Sequence, residues 1–95
     1  MKIIALEKEM STARPIDFRR SARAEAKALW QLYQNGIVRE FYFRKEKKSA
    51  VLILEAKNKV EALKALNKLP YVSKKLIGFE LIPLKPYYGF QRLFK

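Results

Sequence analysis

Four segments of this 95-residue sequence have the hydrophobic pattern of β-strands and two have that of α-helices, in the order β-α-β-β-α-β. In the split βαβ arrangement with this order, right-handed crossovers place both helices on one face of an antiparallel sheet. The sequence therefore predicts one α+β domain, residues 1–95, with a ferredoxin-like sandwich fold. The predicted strands are residues 2–9, 37–44, 50–56 and 77–84, and the predicted helices are about residues 18–35 and 58–69.

The segment that precedes the first helix is polar and long. Residues 11–20 contain Pro15 and are predicted to form a connection that serves either as a binding loop or as a spacer. The helix is then capped by Asp17 or Ser21 and ends at Gly36, which adopts the left-handed conformation at low cost. Its predicted apolar face consists of Ala22, Ala26, Leu29, Trp30 and Tyr33.

The second helix has clearer end signals. Asn58 is its predicted N-cap, and Pro70 is predicted to stop it. A charged hairpin loop, residues 45–49, separates the two strands that precede it. The apolar side of this helix is predicted to consist of Ala62, Leu63, Leu66 and Leu69.

The strands are apolar on both sides, whereas a sheet with one face in water alternates apolar and polar residues. Residues 51–54 form an uninterrupted apolar run, and Ile3 and Ile4 lie on opposite sides of the first strand. No residues remain to build another layer over the face away from the helices. We therefore expect a second copy of the chain to cover it, in a homodimer or a higher homo-oligomer.

The composition excludes several kinds of functional site. Without Cys the chain holds no disulfide, thiolate zinc site or iron–sulfur cluster, and without His it lacks the usual triad base and the commonest zinc ligand. No metal site is predicted, and any catalysis must use carboxylates, Tyr, Lys or Arg. No apolar run approaches the roughly 18 residues of a membrane span, and the N-terminus lacks a signal-peptide core. We expect a cytoplasmic protein with no membrane partner.

A formal net charge of +12 suggests an anionic partner. Nucleic acid is the less favoured partner, because the sequence has no RNA-recognition aromatic motif, helix-turn-helix or zinc-finger spacing. Lys-rich loops also keep a protein surface solvated. The basic residues cluster at Arg14, Arg19, Arg20 and Arg23, at Arg44, Lys45, Lys47 and Lys48, and at Lys74 and Lys75.

The C-terminal half resembles a known family. Leu-Pro-Tyr at residues 69–71, Phe-Glu-Leu-Ile-Pro-Leu at residues 79–84 and Pro86-Tyr87 resemble the closing segment of muconolactone isomerase-like chains. The strand and helix spacing of the first half is similar too. The resemblance implies a dimeric α+β barrel, in which two ferredoxin-like sheets face each other, with a tendency to larger assemblies. It also implies cofactor-free isomerisation by proton transfer on a lactone or related enolisable acid, although residues 36–42, which correspond to a His-containing segment of the family, contain no His.

Three polar residues within otherwise apolar strands form the predicted site. Glu40 is predicted to be the proton-transfer base or acid and Tyr42 a hydrogen-bond donor to a substrate oxygen, with Glu80 nearby. Arg39 or Arg44 would bind a substrate carboxylate. The alternative is that Glu40 or Glu80 forms a structural ion pair across strands or across a dimer. By the two-residue period, one face of this strand is predicted to carry Val38, Glu40, Tyr42 and Arg44.

The sequence thus favours a barrel that binds a small anionic organic molecule and catalyses cofactor-free proton transfer. The competing class is a non-enzymatic binding or assembly protein with the same fold. The aromatic tail, residues 86–95, is predicted to pack on its own domain or across a subunit interface.

Overall fold

The computed structural model describes residues 1–94, and Lys95, the last residue of the predicted tail, lies outside them. The order of strands and helices confirms the ferredoxin-like prediction. The elements are β1 (Lys2–Glu9), α1 (Pro15–Gln34), β2 (Val38–Phe43), β3 (Ala50–Glu55), α2 (Lys59–Leu66), α3 (Pro70–Ser73), β4 (Ile77–Pro83) and a terminal 3₁₀-helix (Gly89–Phe94).

The four strands form one antiparallel sheet in the order β2-β3-β1-β4. In its centre, Ile4 of β1 lies between Ile53 of β3 and Ile82 of β4. Strands β2 and β4 are therefore the edges. Every connection between elements is consistent with the helices lying on one face of the sheet.

The core lies between that face and the helices. Ile3 and Ala5 of β1 and Leu54 of β3 are fully buried, as is Leu66 of α2. Alternation along each strand then directs the intervening residues to the opposite face, which we call the open face. Its apolar residues are half-buried rather than buried: Ile4, Leu6, Val51, Ile53 and Ile82. These positions confirm that the strands are apolar on both sides.

A β-bulge in β2 corrects the predicted face of that strand. Val38 pairs with Leu54, but Glu40 pairs with the adjacent Ile53, so Arg39 is an extra residue. The extra residue reverses the alternation. Val38 is consequently buried on the helical face, and the prediction that it shares a face with Glu40 is wrong.

Helix α1 starts earlier than predicted, because Pro15 occupies its first turn. Arg14 is the N-cap, and the Asp17 carboxylate accepts the Arg14 backbone N–H at 3.2 Å in a capping box. The expected long connection of residues 11–20 is therefore wrong. Asp17 takes part in the cap from within the helix, and Ser21 lies well inside it.

The buried side of α1 also differs from the predicted one. Ser21, Glu25 and Leu32 are its buried residues, whereas Trp30 and Tyr33 of the predicted apolar face are about half exposed. The two polar residues are buried because they form hydrogen bonds to α3 and the turn that follows it. Hydrogen bonds between distant residues thus determine which side of α1 is buried more than the apolar pattern along the helix does.

The second helical region consists of two helices. Asn58 caps α2 as predicted, and its side chain accepts the Glu61 backbone N–H at 2.9 Å. The helix ends at Leu66, and Pro70 begins α3 instead of stopping α2, because proline lacks only an N–H that the first turn does not use. Ala62, Leu66 and Leu69 are buried as expected, but Leu63 is exposed.

The C-terminal tail does not pack on the domain. Tyr87, Tyr88, Phe90, Leu93 and Phe94 are between 65% and 84% exposed. Tyr87 and Phe90 contact each other edge to face, with ring centroids 4.9 Å apart. The first of the two predicted alternatives, packing on its own domain, is wrong for residues 86–94, and packing across a subunit interface stays a prediction. Among residues 1–94, no helix has both the length and the apolar character needed to cross a membrane.

Candidate functional site

The structure brings two of the predicted site residues together. Tyr42 and Glu40 both lie on the open face of β2, and the Tyr42 hydroxyl donates a hydrogen bond of 2.6 Å to Glu40 Oε1. This hydrogen bond and then the negative charge of Glu40 raise the pKa of the Tyr42 phenol. Both side chains are exposed. In the single chain, the Tyr42 proton is therefore already engaged by Glu40.

Glu80 does not join this pair within one chain. It shares a row of the open face with Tyr42, in which Val51 and Leu6 lie between them. Three strand spacings separate the two edge strands, which is about 14 Å. Glu80 is therefore too far from Glu40 and Tyr42 to act with them within one chain.

The two predicted anion-binding arginines occupy different positions. The Arg39 Nε donates to the Gly36 carbonyl oxygen at 2.6 Å, so this bulge residue braces the turn that follows α1. Arg44 lies just beyond β2, where its backbone N–H donates to Ser49 and closes the hairpin. Arg39 borders, together with Glu40 and Tyr42, a shallow groove of about 650 Å³. Its aromatic wall consists of Trp30, Tyr33 and Phe41.

A second cavity lies on the other face of the sheet, between the sheet, α1 and α3. This cavity, which we call the α1–sheet cleft, has a volume of about 470 Å³. Its walls are largely apolar, and its polar groups converge from three elements. The residues that matter for its chemistry are Glu7, Phe18, Glu25, Phe43, Lys48 and Tyr71.

Glu25 is the most unusual group in the cleft, because this charged residue is only 6% exposed. Its Oε1 accepts the Tyr71 backbone N–H at 2.9 Å. Oε2 accepts no hydrogen bond from the described residues. It is therefore not fully buried, because every fully buried side-chain oxygen among them has a partner. Burial raises the pKa of the Glu25 carboxyl, the Tyr71 hydrogen bond opposes that rise, and the negative charge of Glu7 adds to it.

Glu7 supplies a second carboxylate from β1. It lies on the helical face, two and four residues after Ala5 and Ile3, and pairs with Phe79 of β4. Its Oε1 accepts the Ala50 backbone N–H at 2.9 Å. This bond holds the carboxylate at the start of β3, near enough to Glu25 for its charge to act on it.

Tyr71 connects the two helices that border the cleft. Its hydroxyl donates to the Phe18 carbonyl oxygen at 3.1 Å, and its ring meets the Phe18 ring edge to face at 5.1 Å between centroids. Burial and then the charges of Glu25 and Glu7 raise the pKa of the Tyr71 phenol. Tyr71 therefore remains protonated at neutral pH and fixes Glu25 through its backbone N–H.

The cleft combines the buried Glu25 carboxylate of raised pKa, two further carboxylates, Glu7 and Glu9, and one cation. Lys48 provides the cation at the rim, where its Nζ lies 5.8 Å from the centre of the Phe43 ring. A carboxylate whose pKa is raised binds a proton more readily than an ordinary one, and accepting and returning a proton is the task of a general base. Among residues 1–94, no three His, Cys, Asp or Glu side chains are placed to hold a metal ion.

Glu25 and Glu7 were not among the residues predicted from the sequence. No local pattern marks Glu25, a charged residue beside the predicted apolar face of α1, although Ala22 and Ala26 of that face line the same cleft. Glu7 had a usable signal, since the two-residue period from Ile3 and Ala5 places it on the buried face. A carboxylate on that face needs a partner, which Ala50 provides.

Known structures share the fold of this chain, but the sequence comparisons identify no relative. No protein-family model matches the sequence, and no curated protein does. Muconolactone isomerase has a similar structure, with a TM-score of 0.74 and 13% identity over 94% of this chain and 93% of that one. So does 5-chloro-2-hydroxyhydroquinone dehydrochlorinase from Burkholderia phenoliruptrix in complex with 2,5-dihydroxybenzoquinone, with a TM-score of 0.70 and 15% identity over 90% and 94%. The expected resemblance to muconolactone isomerase is confirmed at the level of the fold.

Proposed function

We propose that this protein catalyses cofactor-free proton transfer on a small cyclic organic molecule bound in the α1–sheet cleft, with Glu25 as the base. The observation that carries the proposal is Glu25, a buried residue of the cleft lining whose carboxyl pKa is raised and whose Oε2 is not fully buried. A cavity of about 470 Å³ accommodates a single substituted ring.

The proposed step begins with removal of a proton by Glu25 Oε2 from a carbon next to a substrate carbonyl. The electron pair of the broken C–H bond moves into the carbonyl, and the resulting enolate oxygen lies toward Lys48 at the rim. Glu25, now protonated, returns the proton to another carbon of the conjugated system. The Tyr71 N–H keeps Oε1 fixed throughout, so that only Oε2 exchanges the proton.

The structural neighbours support the substrate class. One is named as an isomerase of muconolactone and the other as a dehydrochlorinase of a chlorinated hydroxyhydroquinone. Both names describe oxygenated cyclic compounds whose conversion involves the loss or movement of a proton. We therefore propose oxygenated rings with an acidic C–H or a leaving group as substrates. A negatively charged ring substituent would be matched by the Lys48 ammonium.

The site predicted on the open face stays a prediction, and it is an alternative location for the base. Glu40 and Tyr42 form one hydrogen-bonded unit there. If two sheets face each other in a dimer, this unit and the partner's Glu80 face the same interior space. Arg39 and Arg44 are then the predicted anion-binding residues of that site.

Self-association is a second proposal, favoured by the open face itself. Its half-buried apolar residues at the sheet centre lie next to one another across β3, β1 and β4. No element among residues 1–94 covers them. We propose that a second copy of the chain does, and that the exposed tail adds to a contact between subunits. This contact is compatible with either the catalytic or the non-enzymatic function.

The experiment compares Glu25→Gln with Glu40→Gln, using muconolactone and 5-chloro-2-hydroxyhydroquinone as probe substrates. We expect measurable turnover of at least one probe by the unmodified protein. Glu25→Gln should lower turnover by about a hundredfold or more, because it keeps the shape and the acceptor for Tyr71 but removes the base. Glu40→Gln is the matched control and should change turnover by less than about threefold.

Two results would contradict this assignment. A large loss in Glu40→Gln with little loss in Glu25→Gln would locate the base on the open face. Turnover of neither probe, together with tight self-association, would favour the non-enzymatic assembly function. Circular dichroism of each variant separates loss of the base from loss of the fold.

A further inference from the structure

A third cavity lies on the side of α1 away from the α1–sheet cleft and is basic. It has a volume of about 330 Å³ and is bounded by the first turns of α1 and the turn between α3 and β4. We call it the basic cavity. Its polar side chains are Thr12, Asp17, Arg20, Ser21, Lys74 and Lys75.

One hydrogen bond fixes a cation at this cavity. The Lys74 Nζ donates to Ser21 Oγ at 2.6 Å, which connects residues 53 positions apart in the sequence. Ser21 is 2% exposed, so its hydroxyl offers a rigid acceptor. An ammonium group has three donors, and this bond uses one. Lys74 therefore presents positioned donors to whatever occupies the cavity.

The cations of the basic cavity are not neutralised within the chain. Asp17 is its acidic residue, and both of its oxygens accept hydrogen bonds of 3.2 Å from the Arg14 guanidinium. Among residues 1–94, no ion pair includes Arg20, Lys74 or Lys75. Three positive charges thus line the cavity beside one carboxylate, Asp17, which is already bound by Arg14 and also feels the charge of Arg20.

The backbone holds the third cation in an unusual conformation. Lys75 has φ of +61° and is the one residue other than glycine with a positive φ among those described. Hydrogen bonds from the Lys75 N–H to Val72 and from the Leu76 N–H to Tyr71 maintain this turn. Glycine would adopt it with less strain. A lysine at this position is better explained by its side chain than by the turn.

We propose that the basic cavity binds a phosphate group, either inorganic phosphate or the phosphoryl group of a small molecule. Arg20 offers a planar pair of donors, Lys74 and Lys75 offer point charges, and the Thr12 hydroxyl offers a neutral donor. The groups enclose a cavity formed by tertiary contacts, which suits a compact anion better than the continuous backbone of a nucleic acid. This inference does not depend on the proposed proton transfer.

The test is a titration with inorganic phosphate and with phenyl phosphate at low ionic strength, followed by ¹⁵N–¹H NMR of the full chain. Binding is expected to shift the amide signals of Thr12, Ser21 and Lys75. Lys75→Gly removes one cation while relieving backbone strain, so it should weaken binding by about fivefold or more without reducing thermal stability. Arg20→Gln should weaken binding similarly. Lys47→Gln in the hairpin loop loses the same charge and should change affinity by less than about twofold.

The two ligands distinguish the sources of the phosphate group. Tighter binding of phenyl phosphate supports a phosphorylated small molecule, and equal binding supports phosphate itself. The proposal is overturned if the unmodified protein binds neither ligand, or if Lys47→Gln weakens binding as much as Lys75→Gly, since the attraction would then be diffuse. Tighter binding of duplex DNA than of either ligand, lost in the same variants, would also overturn it in favour of a nucleic-acid surface.

Discussion

Glu25→Gln is expected to change how the stability of the protein depends on pH. Burial raises the pKa of this carboxyl above its ordinary value of 4.5, so the folded chain holds the proton more tightly than the unfolded chain does. The stability that Glu25 contributes is therefore complete below pH 4.5. It is lost as the pH rises through the higher pKa of the folded protein.

The size of the effect follows from one proton and one hydrogen bond. Between the two pKa values, unfolding releases one proton, and the free energy of unfolding falls by up to about 1.4 kcal/mol per pH unit. Gln keeps an amide oxygen for the Tyr71 N–H, and it closely resembles protonated Glu25 in shape. The two proteins should thus be within about 0.5 kcal/mol of each other near pH 4. As the pH rises, the free energy of unfolding of Glu25→Gln should increase relative to that of the unmodified protein.

The assay is urea unfolding at a fixed protein concentration, repeated at pH values between about 4 and 8. A fixed concentration is needed because any self-association adds to the apparent stability. Glu46→Gln, in the exposed hairpin loop, is the matched control and should leave the pH dependence unchanged. A difference between Glu25→Gln and the unmodified protein that stays constant or shrinks with rising pH would refute the account of Glu25.

Two further predictions concern the core and the open face. Leu54→Ala should lower the free energy of unfolding by about 2–5 kcal/mol in urea titrations, because Leu54 is fully buried at the sheet centre. A loss below about 1 kcal/mol would contradict that packing. Ile53→Asp should reduce self-association in sedimentation equilibrium, because an unpaired charge is costly to bury. Val60→Asp, at an exposed position of α2, is the control and should leave self-association unchanged. An unmodified protein that is monomeric at micromolar concentration would contradict the proposed contact.

The fold was predictable because several independent patterns agree. The strand order, the Asn58 cap and the turn at Gly36 all indicate the same topology, and the apolar run at residues 51–54 marks a strand with two apolar faces. The sequence pattern places Pro15 in a loop, so the prediction misses the start of α1. Pro15 and Pro70 both begin helices here, in the one place where the missing N–H costs nothing.

The candidate site was less predictable because it depends on contacts between distant residues. Glu25 is buried through Tyr71, which lies 46 residues away, and no local pattern reports that pairing. The bulge at Arg39 likewise changes which residues share a face, and a strict two-residue period cannot detect it. Glu40 and Tyr42 nevertheless do share the open face. That part of the prediction is correct because both residues follow the bulge, where the two-residue alternation of the strand is regular.

The central claim is that Glu25 moves a proton in the α1–sheet cleft, and hydrogen exchange on a bound substrate tests it most directly. The protein is mixed with muconolactone in D₂O, and loss of the substrate C–H signal is followed by ¹H NMR as a function of pH. We predict exchange that rises with pH as Glu25 ionises, falls by about a hundredfold or more in Glu25→Gln and persists in Glu40→Gln. Exchange that proceeds equally fast in Glu25→Gln and the unmodified protein would contradict the claim.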